Sequence, residues 1–354
     1  MYREGFDVTE SSGSSRLRGD CVTMAHAGGG KAMRDLIDEI FVSAFGVDTS
    51  EDQARLVSEA MSAPGARLAF TTDGFVVTPL EFPGGDIGKL AICGTVNDLA
   101  VGGAKPLWLS AAFIIEEGFE LSTLRRLVST MAEEAQRANV RIVTGDTKVV
   151  ERGSADGLYI TTSGVGVLPP DCNLAATNIL EGDVAIINGL LGDHGAAILD
   201  ARGDLELSTT IQSDCQPLAS LMQAAMAAAP NLRAARDLTR GGLASALNEM
   251  AESAQLTIEI EEDKLPIRDE VRGMCEILGL DPLYLANEGT LVLFVPESEA
   301  EAVLAAMRAH EAGRDALVIG TVRQKGPIPV TMKTLFGGSR VVDMLVGEQL
   351  PRIC

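Results

Sequence analysis

The chemical promise of this chain lies in one cysteine and a set of carboxylates. Cys354 closes the segment Pro351-Arg352-Ile353-Cys354. A thiol at the tip of an arm can enter a pocket, be modified there and swing out to a partner. It therefore suggests a carrier of a covalent group, the plainer alternative being an idle surface thiol. Four aspartates fall in turn-like settings: Asp73 (Thr-Thr-Asp-Gly), Asp98 (Val-Asn-Asp-Leu), Asp146 (Thr144-Gly145-Asp146-Thr147-Lys148) and Asp237 (Arg-Asp-Leu-Thr-Arg-Gly-Gly). Carboxylates at strand ends suit magnesium on nucleotide phosphates, although each alone is more often a turn or cap residue. Gly28-Gly29-Gly30-Lys31 precedes a helical pattern and can cradle phosphate through backbone amides and a lysine. It does not match a Gly-x-x-x-x-Gly-Lys-Ser/Thr loop, and a hinge is the alternative. Thr239-Arg240-Gly241-Gly242 is a second segment of this kind. Lys148 shares a strand face with Asp146, as a structural ion pair or a catalytic one. Glu288, between Asn287 and Gly289, is a solvated turn residue or a general base. His26 adjoins the glycine loop and His194 follows Gly192-Asp193; with His310 they are too scattered for a zinc site.

The elements that must hold these residues read as a mixed α/β chain. Residues 1 to about 20 suggest a disordered tail. Met33, Leu36, Ile37, Ile40, Phe41 and Ala44 mark one helix face. Arg67 to Leu80 reads as a strand broken at Asp73-Gly74. Ile87 to Val101 reads as a helix rich in small residues, so something must pack closely on it. Leu107–Ile115 is an apolar strand, followed by a helix capped by Ser122 with Leu124, Leu127, Val128, Met131 and Ala135 inward. Strand Val140–Val143, a turn at Gly145-Asp146 and strand Leu158–Val167 complete the first part. Pro169-Pro170 and the polar stretch to Asn178 mark a boundary. Strands follow at Val184–Asn188, Leu256–Ile260 and Leu291–Val295, with helices at about 193–201, 215–229, 240–253 and 297–309, then short strands to about 342. Two parts of similar make-up hint at two similar units. The division expected is a tail (1–20), a first domain (21–175), a second (176–342) and a mobile arm (343–354) carrying Cys354.

Composition narrows the partners. The chain has 354 residues, 46% hydrophobic, enough for two cored domains. A formal net charge of -21 repels nucleic acid and anionic membranes, so neither is expected as a partner. It also repels phosphates, so a nucleotide would need a divalent cation as a bridge. The six cysteines form no CxxC pair and no disulfide-like framework. No apolar signal or 18-residue apolar run is present, and a reduced, cytoplasmic protein is expected.

Several segments together resemble the HypE family of carbamoyl dehydratases, which act in nickel–iron hydrogenase maturation. They are AHAGGGKAM (25–33), FPGGDIGKLAICGTVNDLAVGGAKP (82–106), VTGDTKVV (143–150), GDHGAAIL (192–199), DLTRGG (237–242), LANEG (285–289) and PRIC (351–354). The resemblance runs from about Met24 to Cys354. It implies an aminoimidazole ribonucleotide synthetase-like α/β (α+β) subunit whose N-terminal domains pair into a dimeric β-barrel. It implies that ATP binds by that interface, held by Gly28, Gly29, Gly30, Lys31, Thr144 and Gly145. Magnesium would be held on Asp73, Asp98 and Asp146, with Asn97 beside them. It implies that a HypF carbamoyltransferase loads a carbamoyl group on Cys354, that Lys148 and Glu288 handle protons there, and that a HypC–HypD complex accepts the cyanide. Ala27, Lys31 and Gly74 stand where relatives often carry other residues. The rivals are a small-molecule kinase or synthetase of the same superfamily, and a non-catalytic carrier.

Overall fold

The computed structural model describes residues 16–17, 19–49, 53–203, 210–345, 347, 350 and 352–354. The expected N-terminal tail lies mostly outside these residues, but its end is already engaged. Leu17 packs against the core, and the Leu121 N–H donates to the Asp20 carbonyl at 2.9 Å.

After Gly30 the expected helix forms as α1 (Lys31–Leu36), a π-helical stretch (Ile37–Val42) and α2 (Ser43–Phe45). There follow β1 (Arg67–Phe75), an edge strand of the first sheet, and a separate short hairpin of β2 (Glu81–Phe82) and β3 (Gly85–Asp86). Next come α3 (Ile87–Val101), β4 (Lys105–Glu116), α4 (Leu121–Arg137), β5 (Arg141–Val150) and β6 (Leu158–Leu168). The sheet order is β1-β6-β4-β5, antiparallel except for the β4–β5 pair.

α3 is apolar on nearly every side, the pattern of a buried helix. Its N-terminus is fixed by Asp86, whose side chain accepts from the Lys89 N–H at 2.8 Å. The small residues give room for neighbours: a Cβ on Gly88 would lie 2.3 Å from the Leu127 carbonyl oxygen of α4. α4 buries its expected stripe, but its cap is Glu120, with Ser122 already inside the helix.

The second part contains β7 (Asp183–Ile187), α5 (Asp193–Arg202), α6 (Ala219–Ala228), β8 (Ala234–Asp237), α7 (Gly242–Ala254), β9 (Thr257–Glu261), α8 (Asp269–Leu278), β10 (Leu291–Pro296), α9 (Glu297–Arg308), β11 (Leu317–Arg323), β12 (Val330–Lys333) and β13 (Ser339–Val341). Its sheet order is β13-β12-β9-β11-β7-β10-β8. The two sheets differ in strand number and order, so the hint of two similar units is not carried through. Strand β8 and helix α8 are the elements the sequence pattern did not disclose.

α3 joins the two parts: it packs on β1, β6 and α4 on one side and on α6 and β8 on the other. One apolar cluster therefore runs from Ile92 and Leu127 through Leu218 and Leu221 to Ile353. The expected turns at Asp73-Gly74 and Gly145-Asp146 are both continuous strand. Asp73 pairs with Thr162 inside β1–β6, and Gly145 with Ala111 inside β4–β5. A Cβ on Gly145 would lie 2.2 Å from the Ala111 carbonyl oxygen, beside the register shift that leaves Val143 unpaired. The glycine thus permits a close strand crossing and does not turn the chain.

Candidate active site in the cleft between the two sheets

Asp73 lies on the face of β1 that meets α3, and Asp98 comes from the last turns of α3. Thr71 of the same strand face donates its hydroxyl to Asp98 Oδ2 at 2.7 Å. Burial first, then the adjacent Asp98 charge, push the Asp73 carboxyl up to about 6 against a pull from Arg240. Asp237 ends β8. Burial, then Asp98 and Asp73, push it up to about 7. These hard oxygen donors resist sharing so much negative charge, which is the condition a divalent cation relieves. Among the described residues no three carboxylate, thiol or imidazole groups converge closely enough to hold a metal alone. That suits magnesium, which usually takes one or two carboxylates with phosphate and water. A cavity of about 500 Å³ opens here, lined by Asp98, Asp237, Thr239 and Arg240.

Glu288 reaches the same cleft from the turn before β10. The turn is held by Asp214, whose carboxylate accepts from the N–H groups of Glu288 and Gly289 and from the Thr290 hydroxyl, each at 2.9 Å. A Cβ on Gly289 would lie 1.9 Å from the Asp214 carbonyl oxygen, so the turn is pressed onto that residue. Glu288 is 3% exposed, and its Oε1 has no hydrogen-bond partner. Burial above all, then Cys215, Asp214, Asp237 and Asp73, raise its proton affinity far above that of an ordinary carboxyl.

The described end of the chain lies in this cleft. The Val76 N–H donates to the Cys354 carbonyl (3.1 Å) and the Thr78 N–H to the Arg352 carbonyl (3.2 Å). Arg352 returns a bond from Nε to the Val76 carbonyl (3.0 Å) and pairs with Asp156. The segment is thus added like a short strand beyond β1. Ile353 is 5% exposed within the core. Burial, then the Glu288 charge, push the Cys354 thiol up to about 12, with lesser contributions from Asp73 and Asp237 and a counter-pull from Arg240. The free thiol is accordingly a poor nucleophile in this seat, and a group already attached to sulfur would sit among Glu288, Asp73 and Asp237.

The other sequence candidates lie elsewhere. Asn97 is 2% exposed, and its amide is spent on backbone: Nδ2 donates to the Gln216 (3.0 Å) and Glu288 (3.2 Å) carbonyls, and Oδ1 accepts from the Leu218 N–H (2.7 Å). It braces the site and is not directed at a ligand. Thr144, Asp146 and Lys148 project from edge strand β5 on the sheet face away from α3, which Asp73 faces. Three strand spacings, roughly 14 Å, further separate Asp146 from Asp73. Within one chain, therefore, Asp146 does not join Asp73 and Asp98, and Lys148 does not join Glu288. Lys148 Nζ instead contacts Asp146 Oδ1 and Oδ2 at 2.6 and 2.5 Å, both groups well exposed. Gly145 and Asp146 line a separate cavity of about 270 Å³ with Phe41 and Asp48. Gly28 and Gly29 are exposed with open space at their Cβ positions, and Lys31 pairs with Asp35 one turn along α1. His26 is buried, its Nδ1 accepting the Thr23 N–H at 3.0 Å, and it fixes the turn before the glycines. Asp214 and Arg240 complete the cleft without having stood out as site residues; Asp214 had no motif around it, and Arg240 lay inside a glycine segment read for its backbone.

The chain is similar to known proteins in sequence and in fold. Residues 50–168 match the AIR synthase related protein, N-terminal domain, and residues 181–333 match its C-terminal domain. The chain is 67% identical over 338 residues to carbamoyl dehydratase HypE of Rhodobacter capsulatus, covering 96% of this chain and 99% of that protein. Among solved structures it resembles hydrogenase maturation protein HypE in complex with ATP, with a TM-score of 0.88 and 42% identity over 94% of this chain and 99% of that one. It also resembles a chain of a HypE–HypF complex, with a TM-score of 0.77 and 46% identity over 88% and 99%. Among the described residues, no helix is long and apolar enough to cross a membrane.

Proposed function

The chain belongs to the carbamoyl dehydratase HypE family, and from that premise we propose that the group it dehydrates is carried on its own Cys354. It is an ATP-dependent carbamoyl dehydratase of hydrogenase maturation, with magnesium as the accompanying ion. The observation that carries the reading is the seat of the described chain end, which puts Cys354 under the influence of Glu288, Asp73 and Asp237 at once.

The substrate is a thiocarbamate, R–S–CO–NH2, and the product a thiocyanate, R–S–C≡N. Amide oxygen leaves poorly, so ATP supplies a γ-phosphoryl group to it, and the oxygen departs as phosphate. One nitrogen proton is lost as the phosphoryl bond forms and the second as the C–O bond breaks, which leaves the nitrile. Glu288, buried and unpartnered at Oε1, takes a proton; base assistance of this kind is worth about a hundredfold or more. Asp73 and Asp98, with Asp237 behind them, would hold magnesium, which supplies charge neutralisation and alignment of the phosphates. Arg240 adds positive charge on the same wall.

A second copy of the chain completes the site. The outer face of the first sheet leaves Leu68 at 59%, Phe70 at 71% and Ile114 at 42% exposed, an apolar surface suited to burial against another subunit. Asp146 and Lys148 share that face, so pairing of two sheets into a barrel carries one subunit's Asp146 and Lys148, with Thr144, Gly145 and the Gly28–Lys31 loop, toward the other subunit's cleft. Residues 21–175 form the ATP-binding and pairing domain, 176–342 the second domain and 343–354 the moving arm. The arm leaves the cleft to be loaded by a HypF carbamoyltransferase and later to deliver cyanide to a HypC–HypD complex, in the cytoplasm. Cys354→Ala is expected to abolish carbamoyl loading and cyanide formation while ATP affinity, measured by calorimetry, stays within a few-fold of wild type. Turnover of a free small-molecule substrate by that variant would point to the kinase or synthetase reading.

A further inference from the structure

No step of the reaction above uses His194, yet it is fully buried where three parts of the molecule meet. It stands in the first turn of α5. The ring of Phe82, from the β2–β3 hairpin, meets it edge to face, 5.5 Å between centroids. Its two nitrogens are both engaged. Nε2 is 2.9 Å from the Ile353 carbonyl, which can only accept, so Nε2 carries the proton and donates. Nδ1 is then the acceptor, and the Ser213 hydroxyl donates to it at 2.8 Å. Ser213 in turn is clamped to the turn of that hairpin: its N–H donates to the Pro83 carbonyl at 2.8 Å, and a Cβ on Gly84 would lie 2.7 Å from that nitrogen. Burial holds the imidazole neutral, which this one-donor, one-acceptor arrangement requires.

We infer that His194, with its tautomer set by Ser213, is a positioning residue that seats the Ile353–Cys354 peptide so that the group on sulfur faces Glu288. The accepting carbonyl belongs to the peptide that leads into Cys354, so its direction sets where the Cys354 side chain begins. Because Ser213 is fixed by Pro83 and Gly84, the seat forms only when the hairpin and α5 are packed together. Arg202, later on α5, adds a second grip through Nη2 on the Arg352 carbonyl at 3.0 Å. The inference rests on Cys354 bearing the reacting group, and its test keeps the two ideas separate.

The test follows Cys354 in two ways in the full-length protein: its alkylation by iodoacetamide, resolved by peptide mass spectrometry with the other five cysteines as internal controls, and ATP-driven conversion of the carbamoylated residue. In His194→Ala, alkylation of Cys354 should rise about tenfold, the worth of one buried hydrogen bond, with conversion slowed to match and ATP affinity unchanged. His194→Gln, whose amide N–H can reach the same carbonyl, should restore most of both, and Ser213→Ala should fall between. Wild-type protection and conversion in His194→Ala would overturn the proposal. So would slowed conversion that His194→Gln fails to restore while Cys354 stays protected. If His194→Ala does not fold, the other two variants decide by the same readings. If the wild type itself shows no conversion, the dehydratase chemistry at Cys354 fails, while alkylation still decides the seat.

Discussion

At the scale of residues, both Glu288 and Cys354 hold their protons more tightly than usual: burial accounts for the largest part in each, and Glu288 adds to the effect on Cys354. A base kept protonated by its surroundings acts only in the fraction that is ionised. The dehydration rate of loaded enzyme should therefore climb with pH through a range in which an ordinary carboxyl is already ionised. Glu288→Gln should lower that rate about a hundredfold and flatten the climb, as read by single-turnover mass spectrometry across pH. Asp73 and Asp237 give a second pH signature. Their folded values, about 6 and about 7, lie above the 3.8 of an ordinary aspartate, so the folded state binds more protons than the unfolded chain between these limits. Their contribution to stability is full below about 4 and is lost as pH rises through 6 to 7. Magnesium held on these carboxylates as proposed would relieve the same repulsion. Its stabilisation in thermal melts should be larger at pH 8 than at pH 5, and Asp73→Asn should remove much of the difference.

At the scale of elements, α3 is the part most fully written in the sequence. Its run of small and apolar residues announced a buried, closely packed helix, and Gly88 against the Leu127 carbonyl is that packing. Gly88→Ala should destabilise the fold by about 1–3 kcal/mol in denaturant melts, since the obstructing atom is backbone and cannot step aside. Other elements misled for identifiable reasons. Asp73-Gly74 and Gly145-Asp146 carry the residues of turns, yet each lies within an edge strand held extended by its one neighbour, β1 by unbroken pairing with β6 and β5 by pairing with β4 beside a bulge. Ala234–Asp237 has the composition of a helix and becomes strand because β10 pairs with it. Asp269–Leu278 has a glycine in its middle, which hides a helix that buries only Val271, Met274 and Cys275. Cys354, Glu288, Asp73 and Asp98 were visible as chemistry from their types and settings. Their meeting was not, because it depends on α3, β8 and the β10 turn converging across the seam between the sheets.

For the whole molecule, Asp73, Asp98, Asp237 and Glu288 gather on one side of the first sheet, while Asp146 and Lys148 stand on the other. If pairing of subunits reunites them, two inactive variants should complement one another. Mixing Cys354→Ala subunits with Lys148→Ala subunits should restore activity in the mixed dimers, because the intact Cys354 then meets the partner's intact lysine. No recovery would place Lys148 in the service of its own chain. The account as a whole depends on the sulfur of Cys354 bearing the substrate. The most direct measurement is the mass of the peptide ending in Cys354 after carbamoylation, before and after ATP and magnesium are added. The expected result is loss of one water from that peptide, with one ADP formed per peptide converted. ATP consumed while the carbamoylated peptide keeps its mass would contradict it.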